Sequence, residues 1–262
     1  MLKRIFTDPL HLVLAQALLA ALAAIIVVSL ARRRGINLIS DALIAMGRGL
    51  LQIIAVGSIL ALLLKGPRWN GGWLLIAMIV AAGATSARRA KGVPGAFAVS
   101  TWAIAIGAGS VIAIMTALGV IDSRITSLVP VGSMLIANAM NTNGLALNRI
   151  RADVLAHTGE IETALALGAE AHVSVAPYVQ AAFESSMIPA IDSVRSLGIV
   201  WIPGLMAGML LSGARPLYAA VYQFVVLAMI LASSGLTSLV STLFIRARMF
   251  TSASQLMLRQ ER

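Results

Sequence analysis

The sequence predicts an all-α fold, a polytopic membrane helix bundle with about seven transmembrane helices. Three observations carry this. Of the 262 residues 59% are hydrophobic and 11% charged, whereas soluble domains carry about 25% charged residues. Runs such as PLHLVLAQALLAALAAIIVVSLA and VYQFVVLAMILASSGLTSLVSTLFI hold no acidic or basic side chain of the Asp, Glu, Lys or Arg type. At about 1.5 Å per residue they are long enough to cross a hydrocarbon core of roughly 30 Å. The apolar residues also run on continuously for about twenty positions instead of alternating over about ten, which selects helices over a barrel.

Hydropathy places spans near 10–31, 42–64, 72–87, 97–121, 128–148, 198–213 and 217–245, within a single transmembrane domain covering 1–262. Lys3 and Arg4 precede the first apolar stretch as in a signal peptide. That stretch is longer than such a core and lacks a small-residue cleavage site, so it is read as a retained helix. The 22 glycines favour close approach between helices.

Orientation comes from the basic residues between spans. Arg32, Arg33, Arg34, Arg88, Arg89, Lys91, Arg149, Arg151, Arg195, Arg246, Arg248, Arg259 and Arg262 fall on one side, thirteen against the six of Lys3, Arg4, Lys65, Arg68, Arg124 and Arg215, with Arg48 inside a span. The positive-inside rule makes the first side cytoplasmic, putting the amino terminus outside, the carboxyl terminus in the cytoplasm and the chain in the inner (plasma) membrane. The net charge of +10 is distributed as these short clusters, a topology signal, and does not point to nucleic acid.

Residues 149–197 are the polar exception, with six of the ten acidic residues: Asp153, Glu160, Glu162, Glu170, Glu184 and Asp192. About fifty residues is far beyond an ordinary helix connection, so this cytoplasmic insert is expected to have structure of its own. Thr158 is read as an N-cap, with good helix formers from Ile161 to Ala171 and a short amphipathic helix that ends near LGA, 167–169. A second helix is expected over Val175 to Met187, and Pro189 is expected to break or kink the chain.

Inside the spans, Asn138, Asn141 and Asn143 form the densest polar group, and Asn138 and Asn141 share a helix face. They are candidates for a transport path or for interhelical hydrogen bonds, with Asn143 near a break in the helix. Arg48 near a span end reads as snorkelling to headgroups. Gly204 and Gly208 are four apart after Pro203, a small-residue face for packing or an interrupted helix opening carbonyls to a path. Met134, Met140, Met206 and Met209 are read chiefly as gap filling among twelve methionines. No metal-ligand set is identifiable: there is no cysteine, and His11, His157 and His172 lack paired spacing. The chain also lacks a phosphate-binding GxxxxGK[ST] loop, so it has no ATP-hydrolysing site of its own.

The segment ETALALGA, 162–169, resembles the cytoplasmic coupling segment of ATP-binding cassette permeases, with Glu162, Ala164 and Gly168 at its Glu, small and Gly positions. Thr163 departs from the usual Ala. The wider runs VPVGSMLIANAM, LALGA and MIPAIDSVRSLGIVWIPGLMAGMLLSGARPLYAAVYQFVV resemble the permease subunits of Fet-type transporters, linked to iron export, with a plant branch implicated in aluminium tolerance. The resemblance implies a homodimeric permease in the bilayer, exporting iron or a related metal-linked solute by alternating access. It implies that this chain binds no cofactor, with ATP hydrolysed by a separate ATPase chain. Glu162, Ala164, Leu165, Gly168 and Ala169 would couple to that ATPase, while Asn138, Asn141, Met134, Gly204, Met206 and Gly208 would line the path. Without the resemblance, the residues alone leave open an amphipathic helix resting on lipid, an ATP-independent channel or secondary transporter, and a membrane scaffold.

Overall fold

The computed structural model describes residues 9–35, 39–63, 66–67, 69–90, 92–93, 95–251 and 255–258. Lys3, Arg4, Lys65, Arg68, Lys91, Arg259 and Arg262, counted above for topology, lie outside the described residues. The chain divides into two units, 1–66 and 67–262. Among the described residues every regular element is a helix, and pairing is limited to isolated bridges.

The first unit contains α1 (Pro9–Arg32) and α2 (Ile39–Leu63). Arg33, Arg34 and Gly35 donate back to Leu30, Ala31 and Arg32, and Gly35 takes φ of 81° to end α1. Both helices expose apolar side chains on nearly all sides, among them Leu18, Val27, Leu51 and Leu62. A helix that is apolar all round is at home in lipid. Arg48 is exposed on α2, as snorkelling requires.

The second unit begins with α3 (Asn70–Ala87), followed by a short 3₁₀ turn at Arg88–Ala90. Trp69 and Trp73 project at its start, the placement expected of an interfacial aromatic anchor. The expected span at 97–121 forms as α4 (Ala96–Ile104), a π turn (Ala105–Gly109) and α5 (Ser110–Ala117), continuous in hydrogen bonding. Then come α6 (Ile125–Ala156), α7 (Thr158–Ala166), α8 (Ala171–Ser174), α9 (Ala176–Arg195), α10 (Gly204–Leu211) and α11 (Pro216–Arg248).

Among the described residues, five helical stretches are long and apolar enough to cross a bilayer: His11–Arg32, Ile39–Leu63, Asn70–Ala90, Ala96–Ala117 and Pro216–Arg248. Two expected spans take other forms. Residues 128–148 lie within the 32-residue α6, whose polar residues dilute the apolar run. Residues 198–213 contract to the eight-residue α10, about 12 Å of helix and too short to span alone. Gly198, with φ of 76°, and Pro203, in extended conformation, keep the preceding segment out of the helix.

Around α6, which packs against α3, α9 and α11, two apolar cores form. One holds Leu75, Ile104, Ile121, Leu135 and Val226, with Val194, Leu197 and Leu205 against it. The other joins Ala90, Leu147, Ile150, Val154, Ile161, Val175, Ala182, Ile245 and Met249. Residues 149–197, expected as one insert, are divided between the two cores. Residues 149–156 continue α6, while α9 carries Ala182 in the second core and Val194 against the first. Arg195 therefore lies at the end opposite Arg149. Pro189 sits inside α9 without ending it, because burial of Ala182, Ser186, Met187 and Ala190 holds a helix that propensity alone would interrupt.

Candidate functional site

Two places in the second unit gather polar groups for which its cores alone give no reason. The first is the corner where α6 turns into α7. Asn143 onward is regular helix to Ala156, so Asn143 does not mark a helix break. His157 then leaves helical geometry at φ −114°, ψ 26°. Thr158 is not a cap: its hydroxyl donates back to the carbonyls of Val154 and Leu155, at 3.0 and 3.1 Å. Arg149 Nε donates to Asp153 Oδ2 at 2.8 Å, and His157 stacks on Tyr178 with centroids 4.9 Å apart. Tyr178 Oη donates to Glu160 Oε2 at 3.1 Å.

The helix α7 ends at Ala166, beside the expected LGA, and its stop explains Gly168. Gly168 N–H bonds Leu165 O at 3.0 Å and Ala169 N–H bonds Ala164 O at 2.9 Å, the paired 5→2 and 6→1 bonds of a Schellman stop. Gly168 takes φ of 91°, and a Cβ there would meet nothing within 4 Å. Its requirement is therefore conformational, not steric. Ile161 is buried and Leu165 packs on the second core, while Glu162 is exposed and its carboxylate has no partner among the described residues. Ala164 and Ala169 are half-buried. Beyond them Leu167 is 84% exposed and Val173 53%. The sequence reading did not single out Leu167; its large apolar side chain at a helix stop was the available signal.

The corner is extended by the chain after α11. Phe250 and Leu256 form an antiparallel bridge, and Met257 N–H reaches Met249 O at 2.8 Å. Leu256 and Leu258 thereby line a 300 Å³ pocket with Leu155, Thr158 and Glu162.

The second place is a seam of buried polar side chains contributed by α3, α4, α6, α9 and α11. Asn143 Nδ2 donates to Ser86 Oγ at 2.6 Å, and the Ser186 and Ser238 hydroxyls lie 2.8 Å apart. Small residues bring the backbones together. A Cβ at Gly107 would lie 2.6 Å from Thr237 N, and one at Gly83 would lie 2.8 Å from Thr101 Cα. Ser100 Oγ, Thr101 Oγ1, Asn143 Oδ1, Ser234 Oγ, Thr237 Oγ1 and Ser241 Oγ are buried with no partner among the described residues. Each such group costs about 1–3 kcal/mol, and a π turn such as Ala105–Gly109 often marks a functional site.

The residues expected to line a path are only partly brought together. Asn138 Nδ2 is satisfied by Met134 O of its own helix at 2.8 Å. Asn141 is exposed, although its neighbour Asn143 is fully buried. Gly204 and Gly208 are exposed, with nothing within 4 Å of an added Cβ, so they make no close packing face inside this protomer. Met206 N–H donates to Gln223 Oε1 at 3.2 Å, tying α10 to α11. The hydroxyls at 234, 237 and 241 escaped notice inside an uncharged span. Their spacing of three and four was the signal.

Apolar helices of spanning length, carrying a buried polar seam, define a multi-pass membrane protein. The chain belongs to the uncharacterised protein family UPF0014, whose model matches residues 14–250. It is 32% identical to the UPF0014 membrane protein STAR2 of Oryza sativa subsp. japonica over 90% of this chain and 83% of that one. It is 31% identical to Protein ALUMINUM SENSITIVE 3 of Arabidopsis thaliana, over 92% and 88%. Its identity to the probable iron export permease protein FetB of Escherichia coli (strain K12) is 28%, over 92% and 94%. The resemblance to Fet-type permeases thus extends along nearly the whole chain. No solved structure matches it.

Proposed function

We propose that the chain is the permease subunit of an ATP-binding cassette transporter in the inner (plasma) membrane, exporting iron or a related metal-linked solute. The observation that carries the coupling role is the α7 stop. Glu162, Leu167 and Gly168 stand exposed on a short helix whose other face, through Ile161 and Leu165, is rooted in the core shared by α6 and α11. A push on this helix is a push on those long helices. The iron assignment follows the printed name of the bacterial relative.

In this reading α6 completes one further pass and α9 another, raising five apolar spans to seven. Shielded by protein, neither needs an apolar surface all round. Moving Arg195 to the outer side changes thirteen against six to twelve against seven, which keeps the basic excess, α7 and the carboxyl terminus in the cytoplasm. Two such chains with two ATPases would make the transporter, and ATP would reach it only through the partner. Transport follows alternating access: closure of the ATPase dimer moves α7, and α6, α9 and α11 re-pack around the solute.

The test is a mild-detergent pull-down of the tagged chain from its native membranes. A phosphate-loop ATPase in stoichiometric yield, together with metal efflux from proteoliposomes that needs both chains and ATP, is expected. Co-purification of no ATPase from a preparation in which other transporters remain assembled would sink the reading.

A further inference from the structure

At the amino-terminal end of α6, the end far from α7, lies a cavity of 420 Å³. Four elements wall it: the loop between α5 and α6 at Asp122, α6 at Ser127 and Val131, α10 at Leu205 and Met209, and α11 at Tyr222. Its floor is the first core, in which Val131 is buried and against which Leu205 and Tyr222 pack. Helical spacing continues the stripe of Ser127 and Val131 to Met134 and Asn138, two of the residues expected to line a path.

The walls differ in how firmly they are held. The long helices α6 and α11 share the first core, and the loop is pinned by Ile121, which is fully buried. In contrast, α10 buries none of its eight residues. Among the described residues, one hydrogen bond ties the stretch from Gly198 to Ala214 to the rest of the protein, Met206 N–H to Gln223 Oε1 at 3.2 Å. Its other hydrogen bonds close within 196–214. Gly198 and Gly213, at φ of 76° and 87°, bracket the stretch, and hinges are commonly a few such residues at element ends. Gly204 and Gly208 have nothing within 4 Å of an added Cβ, so movement of α10 breaks no close-packed glycine face. Regions with few buried contacts open at the lowest free-energy cost, which makes α10 the wall that yields first.

We propose that this cavity is the outer mouth of the solute path and that α10 is its gate, latched by the bond between Met206 and Gln223. Gln223 rides on α11, one of the helices in which α7 is rooted, so re-packing of α11 withdraws the acceptor from Met206 and frees α10. The inference rests on the permease reading above and deepens it by locating where the path opens on the side away from the ATPase.

The test uses introduced cysteines in the full chain, which has none of its own. In nanodiscs, Val131→Cys reports the cavity floor through its rate of reaction with a maleimide. Gln223→Leu deletes the latch acceptor together with an Nε2 that has no partner to lose. It is expected to raise that rate about fivefold and to leave the rate at Ser123→Cys, in the exposed loop, unchanged. An unchanged rate at Val131→Cys overturns the latch. The second measurement holds even if Gln223→Leu fails to fold. Met209→Cys and Ser127→Cys, on facing walls, are bridged by a bifunctional methanethiosulfonate in proteoliposomes containing the chain and its co-purified ATPase. Bridging is expected to stop ATP-driven metal efflux and dithiothreitol to restore it. Efflux that continues with the bridge in place overturns the gate and leaves the permease reading standing. Equal loss after capping Met209→Cys alone with methyl methanethiosulfonate removes α10 as the gate. A chain that captures no ATPase, yet whose Val131→Cys rate rises with Gln223→Leu, retains the moving α10 and removes the ATP-driven reading.

Discussion

At the scale of single residues, space and hydrogen bonding sort positions that look alike in the sequence. Gly107 and Gly208 both sit in apolar helices, but only Gly107 has a neighbouring backbone within 3 Å of where a Cβ would go. Gly107→Ala is expected to cost about 1–3 kcal/mol through overpacking against Thr237. Gly208→Ala is expected to be neutral or stabilising by up to about 1 kcal/mol from helix propensity. Thermal unfolding in detergent checks both, and equal tolerance would show that the π turn and α11 do not approach as described. The asparagines divide similarly. Asn143→Ala removes a bond to another helix and is expected to cost roughly 0.6–2 kcal/mol, whereas Asn138→Ala removes a bond within α6 and should cost less. A larger loss at Asn138 would place the interhelical contact there instead.

At the scale of elements, α7 combines a buried root with an exposed stop. Leu167→Asp changes only an exposed side chain, so unfolding of the permease should stay within about 0.5 kcal/mol, while capture of the ATPase falls. Capture at the unsubstituted level would remove Leu167 from the docking surface. Gly168→Ala forces a Cβ into left-handed geometry and is expected to cost about 1–2 kcal/mol, felt as fraying of the α7 stop.

At the scale of the whole molecule, the sequence contains no cysteine, so single cysteines report topology without background. Leu167→Cys should be labelled by a membrane-impermeant maleimide only from the cytoplasmic side, and Ser123→Cys, in the exposed loop between α5 and α6, only from the outer side. Labelling of both from one side would refute the proposed passage of α6. Arg195→Cys, labelled with Ser123→Cys, would confirm that α9 crosses the second unit from one core to the other. Labelling it with Leu167→Cys would return 149–197 to a single end.

Hydropathy, charge and residue spacing are local properties, and what they govern was legible in the sequence. They determined the helical membrane class, the approximate position of the five apolar spans, and the family likeness carried by ETALALGA and the runs around it. The course of α9 was decided only by tertiary structure. Its polar composition reads as a loop-like insert, whereas Ala182, Ser186 and Met187 are buried inside the second unit. The seam was hidden for the same reason. Asn143 and Ser86 are 57 residues apart and Ser186 and Ser238 are 52, and a hydroxyl's cost depends on whether a distant helix supplies its partner. Asn141 and Asn143 are two residues apart, yet one faces outward and the other is sealed in, because a turn of about 100° per residue sets them on nearly opposite faces of the helix.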